Sequence, residues 1–130
     1  MKKLLNFEDL EVWQLAYQNF IDLRCYIIAS QEFNQDYDLK RQLLRSSGSV
    51  MDNIAEGLGR GGNKELIHFL TIAKGSNEEA RSQLFRAKAL HYLDLDDYKL
   101  LNASFFKVTK SLGGFIRYLK QSDYKGAKFK

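Results

Sequence analysis

Residues 38–62 read Asp38-Leu39-Lys40-Arg41-Gln42-Leu43-Leu44-Arg45-Ser46-Ser47-Gly48-Ser49-Val50-Met51-Asp52-Asn53-Ile54-Ala55-Glu56-Gly57-Leu58-Gly59-Arg60-Gly61-Gly62. Leu39, Leu43, Ser46 or Ser47, Val50 and Ile54 recur at the spacing of one helix face, and Asp38 stands where a carboxylate caps a first turn. The spacing predicts a helix to about Glu56. Four glycines among residues 57–62 then stop it, because glycine loses the most backbone freedom in a helix. Beyond that break a second amphipathic stretch runs from Asn63 to about Leu93, with Leu66, Phe69, Leu70, Ala73, Ala80, Leu84 and Ala87 on its inner side. Asp94-Leu95-Asp96-Asp97 supplies a turn and a cap for another, to about Lys120, whose seam is Leu101, Phe105, Val108, Leu112, Phe115 and Leu119.

Towards the N-terminus, the polar segment from Gln31 to Tyr37 reads as a connection, and Glu8 to about Ser30 as the first helix, with Asn6 as its N-cap. Leu10, Trp13, Tyr17, Phe20 and Ile27 form the expected core face, while a second apolar line, Val12, Leu15, Ala16 and Leu23, is expected to meet a second copy of the chain. Four amphipathic helices with short joints predict an all-α, antiparallel up-and-down four-helix bundle over residues 1–120, followed by a basic, flexible tail over 121–130.

Composition agrees. A chain of 130 residues is one ordinary domain, and it holds no proline where an average chain would carry roughly six. Leucine occurs 19 times against 12 for valine, isoleucine and threonine together, a helix-forming balance. No apolar run spans a membrane and the opening residues turn polar too soon for a secretory segment, so a cytoplasmic location is expected, with no membrane partner. Cys25, the single cysteine, is expected to be a small core residue. Of the net charge of +4, the last eleven residues hold +3 and Lys2 and Lys3 another +2. Between them, residues 4–39 are acidic and residues 40–88 basic, an arrangement that can pair within the chain, pair between copies, or leave a basic face for phosphate.

Two glycines interrupt helical patterns. Folding the helices back near residue 60 brings Gly48 and Gly75 to within about 4.5 Å of the same level, so the two are expected to permit close helix packing. Ser49, Asn53 and Glu56 form a polar line beside the core line; with Arg60, Ser76 and Glu79 they are expected to make a hydrogen-bond network that fixes helix register.

Motifs for chemistry fail on context. Residues 57–62 satisfy G-x-G-x-x-G, but a helix precedes them where a dinucleotide site needs a strand, and Gly62 is followed by Asn63, not by the lysine of a P-loop. Glu65 and His68 form one Glu-x-x-His with no matching half-site at His91. The acidic run at 94–97 lacks the glycine and distal glutamate of a calcium loop. No enzyme activity, metal or cofactor is therefore expected.

Phe7-x-Asp9-Leu10-x-Val12-Trp13-x-x-Ala16, Leu39-x-x-Gln42-Leu43, and Ser49-x-x-x-Asn53-Ile54-Ala55-Glu56-Gly57-x-x-Arg60-x-x-x-Lys64-Glu65 through Gly75-Ser76-x-x-Glu79 together resemble a bacterial four-helix bundle family. It is named for proteins encoded in intervening sequences of large-subunit ribosomal RNA genes and is related to the accessory variability protein of diversity-generating retroelements. The resemblance covers about residues 7–120. It implies a ring-shaped homopentamer, with a basic surface for RNA or DNA and, in the retroelement relatives, contact with a reverse transcriptase. Asn34 stands where many members have proline, residues 59–62 are unusually glycine-rich, and the body of the chain is nearly neutral. Two functions follow as expectations. The first is a non-enzymatic, oligomeric RNA-binding accessory protein that touches phosphate through Lys40, Arg41, Arg45, Arg81, Arg86, Lys88, Lys125 and Lys128. The second is a protein-protein interaction scaffold with no nucleic-acid role.

Overall fold

The computed structural model describes the backbone of residues 6–128 and the side chains as far as residue 122. A 3-10 turn, Phe7–Asp9, leads into α1 (Glu11–Ala29), followed by α2 (Gln31–Gln35), α3 (Tyr37–Gly59), α4 (Asn63–Ala89) and α5 (Leu95–Lys128), with no strand among the described residues. The side-chain bonds give the directions. Ser46 meets Gln83 and Ser49 meets Ser76 between α3 and α4, Arg81 meets Asn102 and Asn77 meets Thr109 between α4 and α5, and Asn19 meets the Ser104 carbonyl between α1 and α5. In the first two pairs of helices one residue number rises as the other falls, so they run antiparallel. None of the described helices is long and apolar enough to cross a membrane.

The joints differ from the sequence expectation. The segment expected to be a connection contains α2, because Ser30 Oγ accepts from the Phe33 amide and Phe33 is fully buried, stacked on Tyr92. Asp36, not Asp38, caps α3: its Oδ1 accepts from the Leu39 amide at 3.1 Å, and its other oxygen accepts from the Tyr92 hydroxyl at 2.8 Å. α3 continues through Gly57 to Gly59, and Gly61 takes the turn with φ of 84°. α4 stops at Ala89, short of Leu93. His91, at φ 64°, donates its amide to the Lys88 carbonyl while Tyr92 donates to Ala87, a two-bond helix stop normally built on glycine. Asp94 caps α5 through the Asp97 amide, and α5 is helical past Lys120 to Lys128.

The apolar faces pack as two clusters. One gathers Leu23, Ile27, Phe33, Leu39, Leu43, Leu84 and Phe105; the other gathers Val12, Ala16, Val50, Ile54, Leu70, Val108 and Leu112. Each fully buried leucine or phenylalanine contributes about 1.5–3 kcal/mol. Between the clusters along the sequence lie the buried Asn19, Ser46, Ser47 and Asn77, and Gln83 is buried within the first cluster. Asn77 donates to the Phe105 carbonyl at 2.7 Å and to Thr109, and the Ser46 hydroxyl donates to Gln83 Oε1 at 2.6 Å. This set carries the register-fixing role expected of the Ser49 line, which itself is divided. Asn53 donates to Ser49, and Ser49 bonds Ser76, but Glu56 and Arg60 pair with each other at the surface, where Arg60 also lies over the Phe69 ring, and Glu79 is exposed and apart from both.

Three further expectations are corrected. On α1 the buried residues are Val12, Ala16, Asn19, Leu23 and Ile27: Ile27 is in the core as expected, but so are Val12, Ala16 and Leu23 of the line expected to face a partner, while Trp13 and Phe20 are half-buried and Tyr17 is exposed. Cys25 is exposed. The glycine of close approach is Gly57: a methyl there would sit 2.8 Å from Phe69 Cβ, whereas one on Gly48 would meet Phe20 at an ordinary 3.6 Å and one on Gly75 would meet nothing. Beside those two glycines, Ser49 and Ser76 hydrogen-bond to each other across α3 and α4.

Candidate nucleic-acid interface

The basic residues singled out in the sequence divide between the two flanks of α4. On the α3 flank, Arg41 and Arg45 are exposed and line a shallow concavity with Asp38 and Gln42; Arg86 reaches the same place, donating to Gln42 Oε1 at 3.1 Å. Lys40 lies apart at the α2–α3 joint, donating to Asn34 Oδ1 at 2.8 Å with its ammonium near the Tyr37 ring. On the α5 flank stand Arg81 and Lys88. Lys125 and Lys128 lie outside the residues whose side chains are described.

The α5 flank carries rings as well as cations, which the sequence reading missed. Arg81, Phe85 and Lys88 occupy successive turns of α4 on one side; Tyr98, Asn102, Phe106 and Lys110 follow one another at four-residue steps along α5. The antiparallel pairing puts these two lines side by side. Lys88 Nζ lies 4.4 Å from the Phe85 ring centre and 4.9 Å from that of Tyr98, and the Phe85 and Tyr98 rings meet edge to face. One turn and more along the groove, the Arg81 guanidinium lies 4.6 Å from the Phe106 centre, with Lys110 at 5.3 Å. Contacts of this kind are worth about 0.5–1 kcal/mol each at exposed sites, so they orient the side chains more than they stabilise the fold. The four-residue step of aromatics and cations beside the apolar seam was the available signal.

Arg81 is the fixed member. Its Nε donates to Asn102 Oδ1, its Nη1 donates to both carboxylate oxygens of Glu78, and about three-quarters of its side chain is covered. Burial alone would raise the Glu78 carboxyl; hydrogen bonds from Thr109 and Arg81 outweigh it and hold the group below its ordinary value of 4.5. Arg81 therefore serves as a positioning residue for Phe106, while Lys88 and Lys110 add charge over the rings of Phe85, Tyr98 and Phe106. No set of three or more histidine, cysteine, aspartate or glutamate side chains able to hold a metal occurs among the described residues.

The family model described as 23S rRNA-intervening sequence protein matches residues 8–114. The chain belongs to that family. This chain is similar in fold to a solved structure of a protein of unknown function from the S23 ribosomal protein family of Bacteroides thetaiotaomicron, 21% identical, covering 81% of this chain and 97% of that one at a TM-score of 0.72. At that identity the likeness is one of fold. No curated protein matches the chain. The family match takes in the whole of α1 to α4 and most of the described part of α5, including every ring and cation of the α5 flank.

Proposed function

We propose that this member of the 23S rRNA-intervening sequence protein family is a non-enzymatic accessory protein that binds RNA weakly and with little sequence preference along the α4–α5 groove. The observation that carries the reading is the row Lys88, Arg81, Lys110 set over the rings of Phe85, Tyr98 and Phe106. Cations in line attract phosphate, and their strength falls as salt rises because bound counterions are released on binding. The family's name, which refers to 23S rRNA, is in keeping with an RNA partner. No base-reading motif accompanies the cations, so the contacts position a backbone without choosing a sequence.

Retention of a structured RNA on a filter at rising salt is the test. The wild type is expected to retain it at low salt and release it as salt increases; Lys88→Glu with Lys110→Glu is expected to abolish retention. No retention by the wild type at low salt would overturn the reading.

A second reading, an interaction scaffold that assembles with copies of itself, is favoured by one observation. Phe7 meets Trp13 edge to face and Trp13 stacks on Tyr17, with ring centres 5.0 and 5.3 Å apart, a row that begins at the half-exposed margin of α1 next to the acidic Glu8, Asp9 and Glu11. In this reading the acidic first helix docks on the basic α3 flank of a neighbour, and Arg41→Glu with Arg45→Glu lowers the sedimentation mass; an unchanged mass counts against it.

A further inference from the structure

Phosphate binding accounts for the cations of the α4–α5 groove and leaves its rings unexplained. Phe85 and Phe106 are 55% and 41% exposed. Rings that far out of the core add little to its burial, and a polyanion held only by its phosphates has no use for them. Both are nevertheless held in place. The edge of Tyr98 and the ammonium of Lys88 fix Phe85, and the Arg81 guanidinium, itself gripped by Asn102 and Glu78, fixes Phe106. A held ring about half exposed, with a cation within a few ångströms, offers aromatic surface for a base and a charge for the phosphate beside it. Only unpaired bases can use that arrangement, because in a duplex each base face is covered by its neighbours and only groove edges and backbone reach a protein surface.

We infer that the α4–α5 groove takes single-stranded nucleic acid, with bases stacked on Phe85 and Phe106; the inference rests on the nucleic-acid reading of the same groove. The spacing fits. Phe106 lies eight residues along α5 from Tyr98, the neighbour of Phe85, which is about 12 Å at 1.5 Å per residue. The two rings therefore engage different bases of one strand, a few nucleotides apart.

Fluorescence anisotropy with a labelled RNA of about 12 nucleotides, single-stranded or annealed to its complement, separates the possibilities. At low salt the single strand is expected to bind about ten-fold more tightly than the duplex. Phe85→Leu with Phe106→Leu is expected to weaken the single strand about ten-fold, with the salt slope and duplex binding unchanged. Leucine keeps apolar bulk at two exposed positions, and the strand preference of the wild type is read without any variant. Equal affinity for the two forms, or a double variant that binds the single strand as the wild type does, overturns the inference and leaves phosphate binding standing. Binding of neither form, even at low salt, removes the nucleic-acid function and the inference with it.

Discussion

At the scale of single residues, Gly57 and Gly75 make opposite demands. A methyl at Gly57 has 2.8 Å to Phe69 Cβ, a packed backbone-near atom, so Gly57→Ala is expected to destabilise the protein by about 1–3 kcal/mol in urea unfolding. Gly75→Ala places its methyl in open space on an exposed helix face and is expected to stabilise by about 0.5–1 kcal/mol. Sequence spacing brought positions 48 and 75 to the right level but could not say which glycine lay against its neighbour; that depends on rotation about the helix axis. Asn19 hid the true core face of α1 in the same way. Its amide donates to the Ser104 carbonyl, so a polar residue sits in the middle of a buried line while Trp13, larger and at equally good spacing, is only half-buried and Tyr17 is exposed. Glu78 gives a pH signature. Its carboxyl is held below 4.5, so its contribution is complete above that pH and is lost as pH falls through the lower folded value; Glu78→Gln is expected to flatten this part of the acid limb of stability measured by thermal unfolding.

At the scale of elements, the helices were legible and their ends were not. Apolar periodicity in α3, α4 and α5 is strong, and Leu39, Leu43, Leu70, Leu84, Leu101 and Leu112 are buried as the spacing predicts. Caps rest on one oxygen, and the sequence offers several. Asp36→Ala removes the acceptor for both the Leu39 amide and the Tyr92 hydroxyl and is expected to cost about 1–2 kcal/mol, whereas Asp38, whose partner is the exposed Gln42 amide one turn on, tolerates alanine with a change within about 0.5 kcal/mol. Equal losses in chemical denaturation would show that Asp36 is not the cap. The stop of α4 invites the converse change. His91 holds a left-handed conformation that costs an L-residue about 1–2 kcal/mol, so His91→Gly is expected to raise the unfolding midpoint. α2 escaped notice because one buried aromatic, Phe33, among polar neighbours leaves no period to read.

At the scale of the whole molecule, charge is arranged by face. The sequence located a basic middle segment, and the fold divides it: Arg41, Arg45 and Arg86 on one flank of α4, Arg81 and Lys88 on the other, the latter joined by Lys110 and three rings from α5 and α4 that no local count connects. The outer side of α1 has rings of its own, but they stand beside acids. The two aromatic surfaces therefore offer a direct comparison. Ultraviolet cross-linking of bound RNA, followed by mass-spectrometric mapping of the modified residues, reports which surface it touches. Adducts at Phe85, Tyr98 and Phe106 are the predicted result. Adducts concentrated at Trp13 and Tyr17, with the α4–α5 groove unmodified, would contradict it.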